Sequence, residues 1–227
     1  MGRLAKALRE PGSVGAWDHD DAEVIRAQSD TGHLFEMGLQ MVLPAMPGAA
    51  EALEESGSAF LDVGCGAGAV GFVVLRLFPA CRVVGLDVNT TALEQCRSRV
   101  AEEGLAERFE VRNQPVEELD DVDEFDLSFF PHTFIPREVC DEGLRRVARA
   151  TKPGGWVVAL CWALEIDDPL LRAVRGFRAR LWGGSPSRGS DVAEQLRAAG
   201  LVDEQVPQGM GQYQPVLGRA AERPRCS

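Results

Sequence analysis

Seven residues, Asp62-Val63-Gly64-Cys65-Gly66-Ala67-Gly68, put glycine at every second position directly after the apolar pair Phe60-Leu61. Glycine lets backbone N–H groups approach a ligand that a Cβ would hold off, so this turn predicts a corner where a small molecule is bound by main chain. Ala69 to Phe78 is long enough for a helix whose open N-terminal amides face the turn. Two glycine patterns overlap here. Gly64-x-Gly66-x-Gly68 is one; Gly66-x-Gly68-x-x-Gly71 is the other and matches the dinucleotide fingerprint literally, so the turn alone leaves its ligand open.

The elements that must position this turn alternate. Phe60 onward reads as a strand buried on both faces. Cys81 to Asp87 is a second strand, Thr91 to Glu103 a helix ended by Gly104, Phe109 to Arg112 a third strand and Phe125 to Phe130 a fourth. Pro136 opens a helix running to Thr151, and Lys152-Pro153-Gly154-Gly155 turns the chain into a fifth strand, Trp156 to Trp162. Alternation of this kind predicts an α/β, doubly wound, mostly parallel sheet. The rhythm then changes: helices over Asp167 to Trp182 and Asp191 to Ala199 precede two successive strands, Val202 to Val206 and Gln212 to Leu217. Strands separated only by Pro207 to Gly211 pair as a hairpin, so one of them runs antiparallel.

Ahead of the turn, residues 1–16 read as a flexible lead-in and 17–48 as an N-terminal helical cover. The cover is one amphipathic segment or two helices broken near Asp30-Thr31-Gly32, with acidic Asp20-Asp21 where a helix N-terminus favours them. Residues 49–219, beginning with a short helix from Ala49 to Ser56, form the cofactor-binding catalytic domain, and 220–227 a tail. One domain fits the 227 residues.

A formal net charge of −11 argues against a nucleic-acid footprint and against anionic membrane surfaces, leaving a small molecule as the expected partner. Six cysteines without a C-x-x-C pair suggest neither zinc spacing nor a disulfide framework, and no metal is expected. With no signal-peptide core or long apolar run, the reading is cytoplasmic; a homodimer is left open.

Asp62 with Gly64, Gly66 and Gly68, acidic Asp87 closing the second strand and the Lys152-Pro153-Gly154-Gly155 turn together resemble the class I S-adenosylmethionine-dependent methyltransferases, over roughly residues 50 to 217. The resemblance implies a seven-stranded Rossmann-like sheet, its last strand antiparallel beside the fifth, and S-adenosyl-L-methionine as cofactor. It implies that the glycine turn, Cys65 included, and Asp62 meet the methionyl end. Asp87 would then accept from both ribose hydroxyls, and Val88 flank the adenine. Relatives often end the third strand with an acid toward the adenine amino group; Gln114 stands there instead, before Pro115 and Val116. Gln28 is a candidate for the methionyl carboxylate, and Gly71 reads as a helix-packing glycine. The rival is an NAD(P)-dependent oxidoreductase, since Asp87 lies 21 residues after Gly66, but Tyr213 is the only tyrosine and no lysine stands four residues beyond it. A non-catalytic scaffold subunit of the same fold is the other alternative.

The acceptor expected is a small aromatic or heterocyclic natural product methylated at nitrogen, oxygen or a nucleophilic ring carbon. After the fourth strand, Phe130-Pro131-His132-Thr133-Phe134 suggests His132 as general base or hydrogen-bond partner, with Phe130 and Phe134 shaping a slot; the plain alternative is core phenylalanines and a surface histidine. His33 and Glu36, three apart, share a helix face that looks into the site if the N-terminal helix is its lid. Trp17 at the entrance, and Trp162 and Trp182, add aromatic surface.

Overall fold

With Phe60, Leu61 and Val63 on both faces, strand β1 (Ala59–Val63) has no polar face to give to water, and all five of its residues are buried in the middle of a seven-stranded sheet. Burying one such large apolar side chain contributes ~1.5–3 kcal/mol, which makes this strand the anchor of the structure. A computed structural model of the chain describes residues 21–222 apart from 30, 31, 182, 183, 185 and 210; for 22, 27–29, 32–34 and 181 it describes the main chain only. The expected lead-in over 1–16, Trp17, Trp182 and most of the tail lie outside the described residues.

The other strands are β2 (Arg82–Asp87), β3 (Phe109–Asn113), β4 (Phe125–Phe130), β5 (Thr151–Trp162), β6 (Leu201–Gln205) and β7 (Tyr213–Ala220). Their order across the sheet is β3-β2-β1-β4-β5-β7-β6. The first five pair in parallel, while β7 is antiparallel to both neighbours. The terminal hairpin anticipated from the sequence is therefore β6–β7, with its second strand seated against β5. This is the Rossmann-like arrangement expected.

Eight α-helices occur among the described residues: α1 (Ala22–Ser29), α2 (Gly32–Val42), α3 (Ala49–Glu54), α4 (Ala69–Leu77), α5 (Thr90–Glu102), α6 (Arg137–Ala150), α7 (Pro169–Leu181) and α8 (Gly189–Ala198). The N-terminal cover is two helices, α1 and α2, as the second of the two readings had it. Asp21 caps α1, its Oδ1 accepting from Glu23 N at 2.9 Å. Core residues divide between the two faces of the sheet, one layer against α6 and α8 and the other against α2, α4 and α5. None of the described helices is long and apolar enough to cross a membrane.

One boundary moves. The fifth strand begins at Thr151, five residues before the expected Trp156, and takes in Lys152-Pro153-Gly154-Gly155 as an irregularity in its pairing with β4. The turn survives inside the strand because it is tied down: Lys152 Nζ meets both oxygens of Asp126 at 2.8 and 2.9 Å, and Asp126 Oδ2 accepts from Ala59 N at 2.8 Å. Gly154, at φ +82, supplies the left-handed residue the irregularity needs.

Candidate cofactor and acceptor site

The carboxyl ends of the parallel strands open on a cavity of about 680 Å³, within the size range of small-molecule sites. Its floor is the glycine turn. Gly66 adopts φ +54 and donates its N–H to Asp87 Oδ2 at 2.7 Å, while Asp87 Oδ1 accepts from Asn89 N at 2.8 Å. Asp87 thus joins the end of β2 to the turn after β1, and Cys65 N donates to Leu86 O at 2.9 Å to add a second tie. Burial raises the Asp87 pKa, against these backbone N–H groups, which lower it.

Asp62 is buried at 1% exposure and lines the cavity. Its Oδ2 accepts from Gly71 N at 3.0 Å, but its Oδ1 has no hydrogen-bond partner. Burial pushes its pKa up to about 8, with the nearby Asp87 charge adding to the rise. A buried carboxyl oxygen left without a partner costs stability, which a ligand bringing a hydrogen-bonding group would relieve. An ammonium group fits that need, and a hydroxyl-bearing ribose fits a carboxylate with acceptor capacity remaining at Asp87. The residues present therefore fit the cofactor the resemblance implies.

A pH prediction follows from Asp62. Its folded-state pKa lies above the unfolded value of 3.8, so its contribution to stability is fully present below that value and is lost as pH rises toward about 8. The expected result is that Asp62→Asn gains thermal stability relative to the ligand-free wild type as pH goes from 5 to 8. Melting curves of both proteins across that range check it; a constant difference would reject the linkage.

Val88, Gln114, Pro115 and Val116 lie along one wall, Val88 65% exposed at the rim. Gln114 donates from Nε2 to Glu118 O at 2.9 Å, which directs its amide along the short 3₁₀ turn Val116–Glu118 after β3. Gly64, Cys65 and Gly66 line the cavity; Gly68 does not. A Cβ on Gly68 would stand 2.8 Å from both Cys96 Sγ and a Phe72 ring carbon, so its part is to let α4 start against α5. Gly71 is likewise a packing glycine, its missing Cβ replaced by the Phe109 ring.

Besides Gly68, three expected site residues do not line the cavity. Phe130 is fully buried on the opposite face of the sheet, beside Gly143 of α6, and its neighbour Phe129 faces the cavity instead. The reason is strand alternation: successive residues of β4 point to opposite faces. Glu36 does not look inward but pairs with Arg76 of α4 on the surface, because the inward stripe of α2 is Phe35, Leu39 and Val42. His132 is 1% exposed and absent from the lining; its Nε2 meets Gln195 Oε1 at 2.9 Å, and Gln195 Nε2 donates to Asp141 Oδ1 at 2.9 Å. Burial lowers its pKa, so it is held as a neutral bracket between β4 and α8. The side chains of His33 and Gln28 lie outside the described residues.

Sequence reasoning did not name the residues that line the roof, nor those of the far wall beyond Phe134. Ile25 of α1 packs on Ala67 and Ala92 above the turn, and Phe35 meets Phe129 edge-on at 5.0 Å. Phe134, Leu160, Tyr213 and Pro215 continue the lining toward β7. The amphipathic pattern of residues 22–42 signalled that one face is covered, but not by what.

Comparison with known proteins agrees with this geometry. Residues 60–155 match the family described as "Methyltransferase domain". The ribosomal protein L11 methyltransferase of Serratia proteamaculans is 28% identical over 108 residues, 46% of this chain and 36% of that protein, so the chain spans about a third of that relative's length. Among solved structures, the S-adenosylmethionine-dependent methyltransferase SibL in its apo form superposes with a TM-score of 0.64 at 26% identity, over 84% of this chain and 57% of that one. The mitomycin 7-O-methyltransferase MmcR shares the fold at a TM-score of 0.64 and 23% identity, over 97% of this chain and 67% of that one. With a glycine turn bound to Asp87, a buried carboxyl oxygen without a partner and this likeness in sequence and fold, residues 60–155 are a methyltransferase domain of the S-adenosylmethionine-dependent kind, and the site fits S-adenosyl-L-methionine as its cofactor.

Proposed function

We propose that the chain methylates a small aromatic or heterocyclic acceptor at nitrogen, oxygen or a nucleophilic ring carbon. The observation that carries this reading is the form of the cavity: polar at the glycine turn, apolar and aromatic beyond it, and roofed by Ile25, Phe35 and Leu39. A roof of this kind suits a molecule that enters whole, and the net charge of −11 disfavours RNA. Curated relatives act, by name, on a ribosomal protein or on ribosomal RNA, and the likeness covers 46% of this chain in the Serratia protein and 31% in the Aeromonas hydrophila RNA enzyme.

When bound, S-adenosyl-L-methionine supplies an electrophilic methyl group on a sulfonium. The chain's own residues then have defined tasks. Asp62 would hold the ammonium and the turn amides the carboxylate of the methionyl end, with Asp87 on the ribose and Val88, Gln114 and Pro115 along the base. Phe129 and Phe134 would set the plane of the acceptor, and the α1–α2 roof would exclude water. Orientation alone contributes up to roughly 7–11 kcal/mol in well-aligned systems.

The test is turnover. The purified chain, incubated with S-adenosyl-L-methionine and a panel of phenols, aryl amines and indoles, is expected to release S-adenosylhomocysteine and a methylated product identified by mass. His132→Ala is expected to keep kcat within a few-fold, because the ring does not line the cavity; a drop of about 10²–10⁴-fold would restore it as a base. Turnover only with peptides or RNA would overturn the small-molecule reading.

A further inference from the structure

The charges lining the cavity are sorted. Its acids, Asp62, Asp87 and Glu117, come from the β1–β2–β3 side, whereas Arg178 is the one cationic side chain among the described residues that line it and comes from α7, beside the start of β7. Three strand spacings separate β1 from β7 in the sheet order, about 14 Å at ~4.8 Å each. The far end is thus a separate recognition region within one cavity.

Arg178 is well fixed. Its Nη1 donates to Gln212 Oε1 at 2.8 Å, and its guanidinium carbon lies 5.6 Å from the centre of the Trp162 ring. Trp162 in turn stacks on Tyr213 at 5.3 Å. The helix that carries Arg178 is fastened by its neighbour one turn back, Arg175, which donates to Ala163 O at 2.6 Å and Gly211 O at 2.9 Å. The Gln212 side chain links the other two polar groups, its oxygen accepting from Arg178 and its amide also hydrogen-bonding Tyr213. Tyr213 brings a phenolic O–H, its pKa raised by burial. Donors of three kinds therefore meet at this end, and Leu160, Phe134 and Pro215 give the apolar ground around them.

From this we infer that the acceptor carries a carboxylate, and that Arg178, with Gln212 and Tyr213, binds it at the β7 end while the apolar body of the acceptor lies along Phe134 and Phe129 toward the glycine turn. The guanidinium fork matches a carboxylate in shape as well as charge. The substrate class is an aromatic carboxylic acid whose nucleophilic atom is at the other end of the ring system. This rests on the small-acceptor reading above.

The full chain is first titrated with S-adenosylhomocysteine, then, when loaded, with benzoate, 2-naphthoate and indole-3-carboxylate, each against its own carboxamide. At least one acid is expected to bind about tenfold or more tightly than its amide. In Arg178→Met that preference is lost while the S-adenosylhomocysteine affinity stays within twofold; Arg178→Lys keeps part of it. The inference is overturned if no acid outbinds its amide on the wild type, or if the preference survives in Arg178→Met. Should Arg178→Met not fold, the wild-type pairs and Arg178→Lys decide. Failure to bind S-adenosylhomocysteine would instead remove the methyl-transfer reading, and the acid–amide pairs are then compared on the unloaded chain.

Discussion

Replacing Asp87 by alanine weakens binding of S-adenosyl-L-methionine by roughly 10- to 150-fold, the equivalent of ~1.5–3 kcal/mol for losing a charged hydrogen-bond partner. The carboxylate has two tasks in the structure and a proposed third. It accepts Gly66 N–H and Asn89 N–H, which holds the glycine turn against the start of α5, and its further lone pairs face the cavity where the ribose hydroxyls are proposed to lie. Alanine removes all of these acceptors at once. Asparagine keeps one oxygen, so Asp87→Asn is expected to fall between wild type and alanine. Isothermal titration with S-adenosylhomocysteine measures the effect, and unchanged affinity in Asp87→Ala would reject the ribose role.

Gly71→Val destabilises the chain by about 3 kcal/mol, at the upper end of what overpacking a core costs. A Cβ at this position would lie 2.5 and 2.7 Å from two Phe109 ring atoms and 3.0 Å from Val83 Cγ1, so α4 would have to lift from β2 and β3 before the valine methyls are even placed. The same lift would stretch the Gly71 N to Asp62 Oδ2 bond that holds the buried acid. For a domain of this size each kcal/mol moves Tm by about 2–4 °C, so a fall of roughly 6–12 °C is expected in thermal melts. A wild-type Tm would show that the helix is not pressed on Phe109. The companion Gly71→Ala/Phe109→Ala pair tests the cause, since shrinking the ring should relieve the clash.

The meeting of the glycine turn with Asp87 was legible in the sequence because it is local. Asp62, Gly64 and Gly66 are close along the chain, and the family resemblance set Asp87, at the end of the next strand, beside them. The terminal hairpin was legible for a similar reason, two strands with too short a link for a crossover. The acceptor half was not. β4 ends in a phenylalanine on each face, Phe129 beyond Leu127 and Phe130 beyond Asp126 and Ser128, and the pattern carries no sign of which face the cavity takes; Phe129 lines it and Phe130 does not. A histidine in a loop after such a strand suggests chemistry equally whether it faces the ligand or, like His132, a glutamine 63 residues away in α8. Arg178 and Gln212 are 34 residues apart and meet only because α7 folds back over the start of β7. The extra length of β5 was hidden because Pro153 and two glycines read as a stop, whereas the Lys152–Asp126 pair lets the strand continue past them.

The cavity draws its walls from Ile25 near one end of the described chain and from Pro215 near the other. Such a site cannot be assembled in stages. Contacts this distant in sequence form late, after the entropy of closing long loops has been met. A fragment cut anywhere between those two residues would keep the glycine turn or the β7 wall but not an enclosed chamber. Competence to hold the ligand is therefore a property of the finished molecule, and ligand binding reports on whether the whole chain has folded.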